Sequence, residues 1–131
     1  MGEAFGVTDL LADPVRFDGT VVAVVGWFVC EREHSALYPS PAEALAVSRC
    51  GVWLVHPATA GGRDAVAALN RGWVRAVGVF ANRRRSGCGH FGAWPAQLSG
   101  LSELCRAAPP VEASPAEPDA AADPGRGPRT R

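Results

Sequence analysis

The residue pattern predicts an all-β chain with short helices, folded as a five-stranded OB-fold-like barrel. Three observations lead there. Residues Thr20 to Cys30 (TVVAVVGWFVC) are rich in residues that favour a pleated backbone, and both alternating faces are apolar. Val21, Val25, Trp27 and Val29 share one face, and Val22, Val24 and Phe28 share the other. A long strand serving two sides of a closed barrel has that pattern, and Gly26 stands where such a strand can bend. The second observation is a similar run at Gly72–Asn82 (GWVRAVGVFAN), again with a mid-strand glycine, Gly78. The third is a helix-compatible segment lying between the third and fourth strands, where an OB barrel carries its helical connection. A sandwich lacking one strand is the competing arrangement.

The elements follow in order. Thr8–Asp13 has a capping threonine and ends at Pro14, which predicts one or two helical turns over residues 1 to 13. Asp18-Gly19 turns the chain into the first long strand. Glu33–Tyr38 is a short second strand closed by Pro39 and Pro41, with a possible helical turn over Ala42–Val47. Arg49–His56 (RCGVWLVH) is the third strand. Arg63–Asn70 is the helical connection, closed by glycine at Arg71-Gly72. After the fourth strand, His90–Leu98 is the fifth, and its Pro95 places it at an edge or bulge. Leu98, Leu101 and Leu104 recur at intervals of three and predict a closing turn on the barrel end.

The 131 residues suit one domain, over residues 14 to 106. From Ala107 to Arg131 the chain holds six prolines, no aromatic residue and Val111 as its one large aliphatic. Such a segment buries too little apolar surface to offset about 1–2 kcal/mol of chain entropy per residue, so it is expected to be a disordered Pro/Ala-rich tail. Thirteen basic residues, all arginine, balance thirteen acidic ones. No overall field therefore draws the chain to nucleic acid or an anionic membrane. The first eleven residues have neither the basic start nor the apolar core of a signal peptide. The expected location is the cytoplasm, without membrane attachment.

Cys30, Cys50, Cys88 and Cys105 form no CxxC pair, so the strong zinc pattern is missing and reduced, metal-free core cysteines are expected. No cofactor is expected. Cys88 and His90 with two distant ligands would be the alternative metal set. The same Cys88-Gly-His90 pairing is the closest approach to nucleophilic chemistry, for a small Cys/His enzyme, but no third group orients the base. No catalytic or phosphate-binding motif of known type occurs, and the chain is expected not to be an enzyme. Glu31 and Glu33, two apart, have the spacing of one solvated strand face.

Two segments are candidates for binding. Arg83, Arg84 and Arg85 lie between the fourth and fifth strands, in a loop that flanks the ligand groove of OB barrels. Arginine makes bidentate contacts to phosphate and stacks on bases. Phe91, Tyr38 and the four tryptophans could supply stacking surfaces, although tryptophans amid apolar neighbours usually pack in a core. Glu33, His34 and Tyr38 stand on the second strand, with His90 in the loop before the fifth.

Gly19, the run Val22–Phe28, Glu33–Tyr38, Gly51–Leu54, Gly72–Phe80 and Gly89–Gly92 together form a spaced pattern over residues 14 to 105. It resembles a group of uncharacterised small bacterial OB-fold-like barrel proteins, which are similar to anticodon-binding OB modules. The resemblance implies a barrel and brings no reaction, substrate or cofactor. The expectation is a non-catalytic binding or interaction module. Its alternative is a single-stranded nucleic-acid binder using the arginine loop, and a protein partner is the other class of ligand.

Overall fold

The computed structural model describes residues 3–31, 34–45 and 50–110. Its element order is β1 (Ala4–Gly6), α1 (Val7–Ala12), α2 (Pro14–Phe17), β2 (Val21–Glu31), β3 (His34–Tyr38), α3 (Pro41–Leu45), β4 (Val52–Leu54), α4 (Arg63–Ala67), β5 (Gly72–Asn82) and β6 (Ala96–Arg106). The strands hydrogen-bond in the order β2-β3-β4-β6-β5, and β5 returns to β2, so five strands close a barrel. All pairings around the barrel are antiparallel except β4 with β6.

Closure follows from β2. Its residues 21–28 pair with β5 on one edge, while on the other edge 23–25 meet β1 and 27–31 meet β3. Val22, Val24 and Phe28 point inward, where they join Leu37, Val52, Leu54, Val74, Phe80 and Leu98 in the core. Each such side chain contributes about 1.5–3 kcal/mol on leaving water. Val7 and Leu10 of α1 and Val66 of α4 pack into the same core. The outer face of β2 is half-covered, and Val21 is exposed. The double apolar pattern thus marks one inner and one outer face.

Several expectations are corrected. Pairing of β2 with β5 runs through Gly26 without a register shift, so no bulge bends the strand there. Glycine is required because a Cβ would lie 2.9 Å from Val7 Cγ2 and 3.1 Å from Leu37 Cβ. The first helix begins at Val7, where the Gly6 amide donates to the Asp9 carboxylate at 2.9 Å, so Thr8 is inside the helix. Pro14 opens α2, at a first-turn position where its missing N–H costs nothing. The three-residue β1, parallel to β2, was not expected; it is too short to show a period. The third strand shrinks to Val52–Leu54, because His56 turns left-handed (φ 48°) and Pro57 begins a 3₁₀ turn. At the end of the helical connection Arg71, not Gly72, takes the positive φ. Gly72 instead makes room for the Arg106 guanidinium.

The fifth barrel strand is displaced by several residues. His90–Gly92 forms a 3₁₀ turn, and the strand runs over Ala96–Arg106. Val77 faces Glu103 but Val79 faces Ser99, so two steps along β5 match four along β6. This irregularity, with Gly100 at φ 59°, brings Leu98, Leu101 and Leu104 all inward despite their spacing of three. A bulged strand imitates a helical period.

The cysteines are all thiols, but two are not core residues. Cys30 and Cys88 are half-buried, whereas Cys50 and Cys105 are exposed. No helix among the described residues is long and apolar enough to cross a membrane.

Candidate ligand face

Strand alternation assembles an outer surface from three strands. Trp27, Val29 and Glu31 of β2 face Tyr38, Ala36 and His34 of β3, and Trp53 of β4 lies opposite Ala36. Across the other edge Trp73 of β5 stands opposite Trp27, edge-on, with ring centroids 5.8 Å apart. Val29, Ala36 and Tyr38, with Trp27 and Trp53 packed against them, belong to a second apolar cluster outside the barrel core.

The connection from β5 to β6 folds back over this surface. Cys88 and Trp94 exchange backbone hydrogen bonds of 3.0 Å, which pins the loop and lays Trp94 against the sheet. Trp94 then sits 4.8 Å from the Trp53 ring and 5.4 Å from His34. Two glycines allow the close approach. A Cβ on Gly51 would lie 2.7 Å from the Tyr38 ring, and one on Gly89 would lie 2.6 Å from the Trp53 indole. The Trp94 indole N–H is buried; among the described residues it makes no hydrogen bond of full geometry, and the Tyr38 phenol is the polar group it approaches.

His34 and Tyr38 are joined by a 2.7 Å hydrogen bond between Nε2 and the phenol oxygen, whose direction depends on the imidazole tautomer. Burial lowers the His34 pKa and raises that of Tyr38, so both groups are neutral at pH 7. Glu31, beside His34, accepts from Arg71 Nε at 2.6 Å and from Asn70 Nδ2 at 3.1 Å. These hydrogen bonds hold its carboxyl below the usual range. The Asn70 Oδ1 accepts from the Cys30 amide at 2.8 Å, which anchors the Asn70-Arg71 turn to the end of β2. Trp27, Val29, Glu31, His34, Leu45 and Arg71 line an open groove of about 390 Å³. It offers an aromatic wall, an apolar rim and one charged end.

The expected site residues do not form one constellation. His34 and Tyr38 come together, but Tyr38 is fully buried and cannot serve as a stacking platform. Arg83, Arg84 and Arg85 lie on an exposed turn at the opposite end of β2, where Asn82 N–H donates to Asp18 and the Arg84 guanidinium donates to the Leu11 carbonyl at 2.9 Å. Around the closed barrel, however, Ala36 lies opposite Trp53, Trp53 opposite Gln97 and Gln97 opposite Ala81, and the Arg83 amide donates to the Pro95 carbonyl at 2.8 Å, so the turn adjoins the Trp94 side of the face rather than the groove beside Trp27. His90 is half-buried in the 3₁₀ turn. Glu33 and the side chain of Phe91 lie outside the described residues.

Glu31, Arg71 and the outward tryptophans were missed as a group. Their signal was the odd-numbered alternation through β2, which places Trp27 with Glu31 rather than with Phe28.

The two half-buried thiols are shifted away from the thiolate form. Burial raises the pKa of Cys88, whose Sγ donates to the Trp94 and Ala96 carbonyls, and burial and then Glu31 raise that of Cys30. Among the described residues, no group of three or more His, Cys, Asp or Glu side chains could hold a metal ion. No protein-family model and no curated protein matches the chain.

Proposed function

We propose that this protein is a non-catalytic binding module of the OB type, whose ligand face is the outer surface of β2 and β3. The strand order, with β4 and β6 parallel and a helix between β4 and β5, supports the OB assignment. The resemblance to small bacterial barrel proteins and a cytoplasmic location belong to the same proposal. The observation that carries it is the groove beside Trp27, where the indole meets the Glu31–Arg71 pair and the neutral His34 imidazole, itself held by the buried Tyr38 hydroxyl. Ligand pockets combine apolar walls with a few fixed polar groups in this way. The raised thiol pKa values speak against the Cys/His enzyme.

The exposed arginine turn favours a second reading, single-stranded nucleic acid held at the rim. Fluorescence anisotropy with labelled oligo(dT) tests both. If the groove binds, Trp27→Ala weakens binding about tenfold or more, while Arg83/Arg84/Arg85→Ala changes it little. If the rim binds, the triple variant abolishes binding, and the salt slope of about −2 for three phosphate contacts disappears with it. Binding unaffected by either variant would overturn both readings.

A further inference from the structure

The chain does not end at β6. The Ala107 amide donates to the Trp73 carbonyl at 2.9 Å, continuing the β6 line beside β5. Three residues later Pro110 shares an open groove with Gly6, Val7, Asp9, Val25, Pro39 and Ser40. Val25 belongs to the outer face of β2, so the segment passes from the β6 line across β5 to β2 on the outside of the barrel. The reach agrees with an extended proline segment. Three residues of polyproline helix cover about 9 Å, and two strand spacings are about 9.6 Å. Burial repeats with the same period: Ala107 and Pro110 are half-buried, while Ala108 and Pro109 are exposed. The crossing lies beside the Trp27–Trp73 pair, because Trp73 and Ala107 share a hydrogen bond and Val25 is two residues from Trp27.

We propose that Ala107–Pro110 is an intramolecular strap, seated by Pro110 in the Gly6–Val25–Pro39 groove, that covers the Trp27–Trp73 side of the outer face. This rests on the outer face being the ligand surface only in what the strap would regulate; the strap itself is decided without a ligand. A ligand requiring both tryptophans must displace it, so affinity at that face carries the cost of opening the strap. The occupant is the chain's own proline pair, which polyproline geometry presents to aromatic and apolar grooves without further loss of chain entropy.

Hydroxyl-radical footprinting of the full chain, read by mass spectrometry at each tryptophan, tests the strap. Two variants release it by different means. Pro109→Gly/Pro110→Gly loosens the segment, and Pro110→Glu puts a second carboxylate beside Asp9. In both, oxidation of Trp27 and Trp73 should rise about twofold or more, with Trp53 and Trp94 unchanged, and the Ala107 amide should exchange faster. Unchanged oxidation of Trp27 and Trp73 in both variants would overturn the strap. Oligo(dT) anisotropy on the same proteins separates the two proposals. Release with tighter binding supports strap and ligand face together. Release with no binding in either protein keeps the strap and removes oligo(dT) as its competitor.

Discussion

At the residue scale, single atoms decide where side chains are tolerated. Gly26→Ala places a methyl group against Val7, Leu37 and the Tyr38 carbonyl, all within 3.2 Å, and is expected to cost about 1–3 kcal/mol in a urea titration. His34 has a different signature. Its folded pKa lies below the ordinary 6.5, so the unfolded chain takes up the proton first. Its contribution to stability is complete above that value and is lost as pH falls through it towards the folded pKa. Wild-type protein should therefore lose more stability between about pH 7.5 and pH 5.5 than His34→Gln does, by urea midpoints at the two values. Equal losses would mean that His34 is not buried against Trp94. The thiols give a third check. Alkylation followed by peptide mass mapping should label Cys50 well before Cys30 and Cys88, which are half-buried and held protonated by burial.

At the element scale, the strands differ in how far their residues announced them. β5 was legible to the residue, because Gly72 and Asn82 bracket an unbroken β-prone run. β2 shifted by one residue. β6 was misplaced because its irregularity converts an alternating pattern into a spacing of three, and sequence spacing alone cannot separate that from a helix. Leu101→Ala should cost about 2–4 kcal/mol, as expected for a leucine with only 6% exposure inside the barrel. The two glycines at the irregularity should also differ. Gly100→Ala faces open space and meets only the left-handed backbone penalty of about 1–2 kcal/mol. Gly78→Ala would drive a methyl group to 2.6 Å from the Ser99 carbonyl and should cost more. The reverse order in thermal melts would contradict the register described here.

At the scale of the whole molecule, the barrel brings β3 and the Cys88–Trp94 part of the β5–β6 connection onto one surface, with the exposed arginine turn where that connection leaves β5. The presence of His34 and Tyr38 on one strand was legible, whereas their hydrogen bond, between i and i+4 on a shared face, was not. The place of the arginine turn, outside the Trp27 groove and next to Pro95, was not legible either, since only the closed strand order determines which loop reaches which side. The outward role of the tryptophans was hidden for a related reason: apolar neighbours in sequence point alternately to the core and to the outer sheet. The proposed ligand surface is the outer face beside Trp27 and His34. Amide shift mapping of ¹⁵N-labelled full-length protein titrated with oligo(dT) tests it most directly. Shifts are expected at Trp27, Val29, His34 and Ala36, with Arg83, Arg84 and Arg85 little affected. Shifts confined to those three arginines would contradict it.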